Sequence, residues 1–115
     1  MKIEVLYSPE CPHYVAALQL VHEILAETGI TAQVELMRVE TEEEARRLEF
    51  IGSPTVRVDG VDVEPYVTFA AKDFGLRCRL YAEGGEALGW PSKRALRDTI
   101  EVGYLAEMDM LGACC

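Results

Sequence analysis

Four cysteines are the residues of this 115-residue chain best suited to carry chemistry. Cys11 follows a short apolar strand pattern, and Pro12 directly after it opens a helical pattern that extends to residue 28. This arrangement predicts that Cys11 is the N-cap of the first helix, with Pro12 at the first helical position. Unpaired N–H groups and partial positive charge at a helix N-terminus favour a thiolate. Cys11 is therefore predicted to be a reactive nucleophile, the alternative being a half-buried structural thiol.

Cys78 lies in a predicted strand over residues 76–81. Side chains of this strand alternate between two faces. One face has Leu76, Cys78 and Leu80, and the other has Arg77, Arg79 and Tyr81. On that pattern Cys78 is a buried core residue, as free cysteine often is. The alternative is that residues 64–89 form an insertion near the Cys11 end of the sheet. Cys78 would then reach Cys11 as a resolving thiol.

Cys114 and Cys115 form a vicinal pair at the end of the chain. Neighbouring thiols suit a soft ion such as mercury, arsenite, copper(I) or zinc, whereas a disulfide between them would be strained. The last predicted helix, of about twenty residues, spans roughly 30 Å and runs away from Cys11. A three-residue tail spans only about 10 Å. Three interpretations follow. The pair serves another molecule, or the helix breaks at Gly103 and doubles back to bring the pair to Cys11, or the pair is a dispensable end of the chain.

Hydrophobic periodicity predicts an α/β order of elements. Strands are expected at residues 2–7, 31–39, 55–58 and 61–63, with helices over residues 12–28 and 42–50 and from Ser92 to Gly112. Gly29 is predicted to end the first helix, Thr41 and Ser92 to cap the other two, and Asp59-Gly60 and Gly84-Gly85 to form turns. The inner stripe of the last helix comprises Leu96, Ile100, Tyr104 or Leu105, Met108 and Leu111.

Charge and composition exclude several classes of function. The formal net charge of -9 argues against binding nucleic acid or an anionic membrane. No apolar run approaches the roughly 20 residues that span a bilayer, and no signal peptide is evident, so the cytoplasm is expected. Thiols stay reduced there, which favours reactive or metal-binding cysteines over structural disulfides. One domain over residues 1–112 with a tail over 113–115 is expected. No cofactor is predicted, because no glycine-rich phosphate loop follows a strand.

Two local motifs carry a resemblance to a known superfamily. They are the loop Ser-Pro-Glu-Cys-Pro-His-Tyr around Cys11 and the hairpin Gly-Ser-Pro-Thr-Val-Arg-Val-Asp-Gly that begins at Gly52. In this order the chain resembles the thioredoxin/glutaredoxin superfamily, and more closely its small bacterial members, some of which accompany mercury-resistance systems. The resemblance implies a mixed sheet of about four strands flanked by three main helices. It also implies a cis bond before Pro54, with the groove beside Pro12, His13, Ser53, Pro54 and Thr55 receiving peptide or glutathione.

The sequence departs from that superfamily where its motif is Cys-x-x-Cys. Tyr14 stands in place of the second cysteine, so monothiol chemistry is expected, in which another thiol resolves a mixed disulfide at Cys11. His13 is interpreted as stabilising the thiolate or as a surface histidine, and Tyr14 as a sulfur hydrogen-bond donor or a packing aromatic. The leading hypothesis is a thiol–disulfide oxidoreductase acting on protein or small-molecule thiols and disulfides. The alternatives are a soft-metal relay protein and a thioredoxin-fold module without catalysis.

Overall fold

A central four-stranded sheet organises the molecule. The computed structural model describes residues 1–65, 67, 73–83 and 85–112. The sheet contains β1 (Lys2–Tyr7), β2 (Gln33–Arg38), β3 (Thr55–Val58) and β4 (Val61–Asp62) in the order β2-β1-β3-β4. β1 pairs with β2 in parallel, while β3 is antiparallel to both β1 and β4. A mixed sheet of four strands is as the sequence predicts.

Three helices with described bounds flank this sheet: α1 (Tyr14–Thr28), α2 (Glu42–Arg47) and α3 (Lys93–Gly112). A separate antiparallel hairpin consists of β5 (Tyr81–Glu83) and β6 (Glu86–Leu88). The structure confirms the predicted α/β class and three-helix arrangement. No helix in the described ranges is both long enough and apolar enough to cross a membrane.

The alternation of β1 divides the core into two parts. Ile3 and Val5 point to one face, where they form a buried cluster with side chains of α1 and α3. Leu6 points to the opposite face and packs with Phe50, next to α2. The sheet is therefore covered on both sides, and the end of β1 that leads to Cys11 is held rigidly.

The predicted caps at Gly29, Thr41 and Ser92 and the first hairpin are confirmed. Thr41 accepts a hydrogen bond from the Glu44 N–H at 3.1 Å, and Ser92 accepts one from Ala95 at the same distance. Gly29 ends α1 in the left-handed region, with φ 72°. The turn between β3 and β4 has positive φ at both central residues, as a two-residue hairpin requires.

The N-cap prediction for Cys11 is wrong. α1 begins at Tyr14 with His13 as its N-cap, and Cys11 lies in the preceding turn, where its N–H donates to the Ser8 carbonyl at 3.0 Å. Three other predicted elements are also shorter. The second strand spans Gln33–Arg38, and α2 ends at Arg47 because Glu49 adopts a positive φ of 54°. β4 likewise ends at Asp62.

The predicted strand over residues 76–81 is wrong in extent and in its faces. Cys78 forms one isolated bridge with Ser53, and regular pairing begins only at Tyr81. Arg79 and Tyr81 are buried, whereas Leu80 is 69% exposed and Cys78 is also exposed. The predicted faces are reversed over residues 78–81 because carboxylates neutralise the Arg79 charge inside the protein, while Arg77 stays exposed.

The last helix continues through Gly103 without a break. A Cβ at Gly103 would lie 3.0 Å from Val58, at the end of β3 remote from Thr55 and the Cys11 loop. Beyond that point α3 leaves the sheet, so the predicted inner stripe is buried only at Leu96 and Ile100. The three exposed stripe positions are Tyr104, Leu105 and Met108, and the side chain of Leu111 lies outside the described residues.

Residues 113–115 lie outside the described part of the chain, so the two-part domain prediction remains a prediction. Since α3 neither breaks nor doubles back, the route by which the tail would return to Cys11 is excluded. The prediction for the Gly84-Gly85 turn is supported at Gly85, which has φ 84°, while Gly84 also lies outside the described residues.

Candidate redox site

Cys11 is held beneath the surface by the loop that connects β1 to α1. The Ser8 N–H donates to Ser53 Oγ at 3.0 Å, which fixes the loop against the start of β3. The Cys11 side chain is only 2% exposed, and its Sγ donates to the Ser53 carbonyl at 3.5 Å. The sulfur thus lies directly beside the backbone of Ser53.

The residues that enter β3 form the floor of the site. The peptide bond from Ser53 to Pro54 is cis. Both residues are buried, as is Thr55, whose hydroxyl donates to the Gly52 carbonyl at 2.6 Å. The turn therefore places one backbone N–H and one carbonyl of Ser53 beside Cys11.

The chain's own residues 77–79 pair with both of these backbone groups. The Ser53 N–H donates to the Arg77 carbonyl at 2.7 Å, and the Arg79 N–H donates to the Ser53 carbonyl at 2.9 Å. This bridge places Cys78 opposite Ser53, with Cys78 Sγ 3.0 Å from Cys11 Sγ. Both cysteines are free thiols, and they are 67 residues apart in sequence. The structure brings together the two cysteines for which catalytic roles are predicted.

Gly52 allows the segment to lie this close. A Cβ at Gly52 would be 2.8 Å from Arg79 Cβ and 3.2 Å from its Cα. The Gly52 φ of 148° is also one that other residues rarely adopt. Glycine at this position is thus required both by its backbone conformation and by the approach of residues 77–79.

A buried ionic cluster anchors the segment one residue after Cys78. The Arg79 guanidinium donates to Asp62 through both terminal nitrogens, at 2.7 and 2.8 Å, and lies 3.4 Å from Glu64. Burial alone would lower the Arg79 pKa, but the hydrogen bond to Asp62 and the nearby negative charges raise it. Arg79 therefore stays charged, and its bidentate geometry fixes the backbone of the segment.

Tyr81 anchors the same segment two residues further on. Its hydroxyl donates to the Pro54 carbonyl, and its ring lies 4.3 Å from the Arg79 guanidinium carbon. Burial raises the pKa of the Tyr81 phenol well above its usual range. The backbone on both sides of Cys78 is thus fixed to the turn at residues 52–55.

Cys78 differs from Cys11 in exposure and in its hydrogen bonding. Cys78 is exposed, and its S–H donates to Cys11 Sγ. That hydrogen bond, followed by partial burial, raises the pKa of the Cys78 thiol. The raised pKa means that Cys78 keeps its proton more readily than an ordinary cysteine, and Cys11 Sγ accepts the hydrogen bond that this proton makes.

The side chains that follow Pro12 make aromatic contacts. The His13 ring lies 5.5 Å from the Trp90 ring, and Tyr14 stacks on Tyr7 with ring centroids 4.1 Å apart. The stacking supports a packing role for Tyr14. Pro12 is an exposed turn residue, and substrate binding by Pro12 and His13 remains a prediction.

Metal binding by Cys114 and Cys115 also remains a prediction, because both residues lie outside the described part of the chain. Within residues 1–65, 67, 73–83 and 85–112, no three His, Cys, Asp or Glu side chains are grouped as a metal site would require. The chemistry that the described arrangement supports is exchange between two sulfurs.

Sequence reasoning identified both sulfurs and the Ser53 turn but missed the residues that position Cys78. These are Gly52, Asp62, Glu64, Arg79 and Tyr81. No local signal identified them, because Asp62 and Glu64 alternate with Val61 and Val63, a pattern that would place the carboxylates toward solvent. The structure buries both carboxylates, and Arg79 supplies the cation that they need.

The thioredoxin domain family model matches residues 1–63 of the chain. The match includes Cys11, Ser53 and Pro54, and it ends before Cys78. No curated protein matches the chain. No solved structure matches it either.

Proposed function

Since this chain belongs to the thioredoxin domain family, we propose that it is a thiol–disulfide oxidoreductase whose redox pair is Cys11 and Cys78. One observation carries the proposal: the 3.0 Å separation of the two sulfurs. A disulfide bond is roughly 2.05 Å long, so a shift of about 1 Å forms it without rearrangement of either segment. Cys78 therefore supplies the second thiol that the Cys-Pro-His-Tyr loop lacks.

The reaction is a two-electron exchange with a protein or small-molecule disulfide. One sulfur of the pair forms a mixed disulfide with the partner and releases the partner's first thiol. The other sulfur attacks the enzyme sulfur of that mixed disulfide and releases the second thiol. The Cys11–Cys78 bond forms, the partner gains two electrons and two protons, and the pair loses the same. Excess external thiol runs these steps in reverse.

The environment of the pair supports this chemistry. Cys78 S–H donates to Cys11 Sγ and Cys11 S–H donates to the Ser53 carbonyl, so hydrogen bonds hold both sulfurs in place. The backbone bridge at Ser53 fixes Cys78 on one side of the contact, and Ser8 fixes the Cys11 loop on the other. Oriented thiols react as a unimolecular pair, which makes the internal disulfide form readily.

The test is redox titration of a variant that carries Cys114→Ser and Cys115→Ser, so that tail thiols do not interfere. The protein is equilibrated in buffers of reduced and oxidised glutathione, quenched with acid, alkylated and mapped by mass spectrometry. We expect one internal disulfide between Cys11 and Cys78 whose population depends on two electrons. The same variant with Cys78→Ser should form no internal disulfide.

The proposal fails if Cys11 and Cys78 remain unlinked at every glutathione ratio while the protein stays folded by circular dichroism. A matched control places a cysteine at another exposed position, Leu80→Cys, in the Cys78→Ser background. Leu80 is exposed and lies two residues from Cys78, but it does not form the bridge to Ser53 that Cys78 forms. It should not form the internal disulfide.

Soft-metal relay through Cys114 and Cys115 has no support from the described residues. If no disulfide formed in the redox titration, a non-catalytic role would be the remaining interpretation. A cytoplasmic location remains a prediction from the sequence.

A further inference from the structure

We propose that Cys78, and not Cys11, is the sulfur that exchanges with the external partner, and that Cys11 is the buried resolving and leaving group. This inference rests on the proposed function and assigns the order of its steps. It reverses the roles expected from the sequence, in which Cys11 attacks the partner and Cys78 resolves.

Exposure of the two residues is the first argument. Cys11 is 2% exposed, whereas Cys78 is exposed. Thiol–disulfide exchange needs the incoming sulfur to reach the attacked sulfur. In the oxidised pair, an external thiol reaches the Cys78 side of the bond, while Cys11 is covered by Ser53 and by Cys78 itself.

The second argument is that the covering segment is firmly held. Arg77 and Arg79 pair with the Ser53 backbone, so the segment is attached immediately on both sides of Cys78. Arg79 is also neutralised by two buried carboxylates, Asp62 and Glu64. Releasing the segment to uncover Cys11 would break the bidentate ion pair of Arg79 with the buried Asp62, which is costly. The partner therefore meets the site with Cys78 in place.

The third argument is that the backbone groups beside Cys11 are already occupied. An extended external peptide that approached Cys11 would use the N–H and carbonyl of Ser53, as an added strand does. Residues 77 and 79 use both. A partner thus reaches the exposed Cys78 sulfur, and the groove beside Ser53 receives the chain's own segment.

The step can be written with its atoms balanced. An external thiolate attacks Cys78 Sγ, a new bond forms between the partner sulfur and Cys78, and the Cys11–Cys78 bond breaks. The electron pair of that bond goes to Cys11 Sγ, which leaves as a thiolate. A second partner thiolate then attacks the partner sulfur of the mixed disulfide, and Cys78 Sγ leaves and takes a proton. The partner is oxidised to a disulfide, and the pair is reduced.

The reverse reaction uses the contact between the sulfurs. Cys78 Sγ loses its proton to water and attacks an external disulfide from its position beside Cys11. The first partner thiolate leaves and is protonated from water. Cys11 then loses its own proton to water, attacks Cys78 Sγ and expels the second partner thiolate. Cys11 acts as the resolving nucleophile.

The decisive experiment traps the first mixed disulfide of the oxidised protein carrying Cys114→Ser and Cys115→Ser. Excess reduced glutathione is added, samples are quenched in acid within the shortest mixing time, and the adduct is located by peptide mass spectrometry. We expect at least about tenfold more glutathione on Cys78 than on Cys11 in the earliest samples, because only Cys78 is accessible. A second arm with a short unstructured cysteine peptide distinguishes small thiols from peptide thiols and should give the same site.

Predominant early labelling of Cys11 would overturn the inference and leave the proposed function intact. Failure to obtain an internal disulfide at the start would instead refute the proposed function itself. A second measurement uses reduced single variants, Cys11→Ser and Cys78→Ser, in the same background and an aromatic disulfide that releases a coloured thiol. The Cys11→Ser protein should react faster; equal or faster reaction of Cys78→Ser would also contradict the inference.

The single variants need one control for folding. In denaturant, both proteins expose their one remaining cysteine, so their rates with the aromatic disulfide should become equal. A rate difference that persists in denaturant would reflect neighbouring residues and not burial, which would contradict the argument from exposure.

Discussion

Two regions of the molecule meet at the sulfur pair, and they differ in how they are built. The first, residues 8–13 with residues 53–55, lies within the stretch that matches the thioredoxin domain family. The second, residues 77–81, lies beyond that stretch. The first region is held by turns and backbone hydrogen bonds, whereas the second adds a buried ion pair and a buried phenol to its backbone bridge with Ser53.

The difference indicates how one redox pair can be divided between two parts of a chain. The matched region supplies a sulfur beside an open N–H and carbonyl of Ser53. The second region supplies both the strand that closes this opening and the sulfur that pairs with Cys11. Its position depends on side chains, so substitutions there should uncouple the sulfurs while leaving the central sheet folded.

The largest effect is expected when the anchor of the second region is removed. Arg79→Met removes the cation that forms a bidentate ion pair with the buried Asp62, so the free energy of unfolding should fall by about 3–5 kcal/mol. Formation of the Cys11–Cys78 disulfide should also slow. Denaturant unfolding and timed alkylation measure the two effects.

The control for that substitution is Arg77→Met. Arg77 is exposed and pairs with Asp73 at the surface, so its loss should change stability by less than about 1 kcal/mol. Equal losses at the two arginines would show that the buried cluster does not hold the segment.

A smaller effect is expected where the two regions touch through backbone. Gly52→Ala places a Cβ 2.8 Å from Arg79 Cβ at a φ that alanine disfavours, so we expect a loss of about 1–3 kcal/mol. Disulfide formation between Cys11 and Cys78 should slow as well, because residues 77–79 are pushed away from Ser53. Unfolding and alkylation are measured as for Arg79.

Gly29→Ala separates crowding from backbone strain. Gly29 also has positive φ, but a Cβ there meets no atom within 4 Å. Its substitution should reduce stability and leave the rate of disulfide formation unchanged. A slower rate in Gly29→Ala would mean that general destabilisation, and not contact with Arg79, controls the pair.

The two regions were not equally predictable from the sequence. The sheet, its helices and the Cys11 loop follow from periodicity, caps and turns, all of which are local signals. The register of residues 77–81 was misjudged because hydrophobic alternation put Leu76, Cys78 and Leu80 inside. Burial of Arg79 depends on Asp62 and Glu64, which are distant in sequence, and no local pattern records that pairing.

The sequence did contain the alternative that brings Cys78 to Cys11, because the insertion follows a hairpin that returns to the Cys11 end. It lacked the information to choose between a core position and a position beside Cys11. That choice depends on a single bridge between Ser53 and Cys78, which places Cys78 Sγ next to Cys11 Sγ. The exposure of Cys78 and the burial of Cys11 also follow from that tertiary contact.

Loss of the phenol in the second region should have a smaller effect. Tyr81→Phe removes the hydroxyl that donates to the Pro54 carbonyl, and we expect a loss of about 1 kcal/mol at neutral pH. Tyr104→Phe, on the exposed part of α3, is the matched control and should have no measurable effect. Equal behaviour of the two variants would indicate that the hydroxyl contributes nothing.

The same phenol predicts a pH dependence. The pKa of Tyr81 is raised by burial above its ordinary value of 10.0, so above that pH the unfolded chain loses a proton that the folded protein keeps. The free energy of unfolding should therefore fall as pH rises, by about 1.4 kcal/mol per pH unit from this residue. Unfolding curves at alkaline pH should show this slope in the parent protein and a shallower one in Tyr81→Phe.

The last expected effect changes reactivity and not folding. The hydrogen bond to Cys11 raises the pKa of the Cys78 thiol. Alkylation of Cys78 in the reduced protein should therefore accelerate at a higher pH than alkylation of an ordinary cysteine does. In Cys11→Ser the sulfur acceptor is gone, so the pH–rate profile of Cys78 should move to lower pH. Alkylation by iodoacetamide across pH, followed by peptide mass spectrometry, measures both profiles with the tail cysteines replaced. If the two profiles coincide, the sulfurs are not in contact in solution, and the second region does not reach the first as the structure shows.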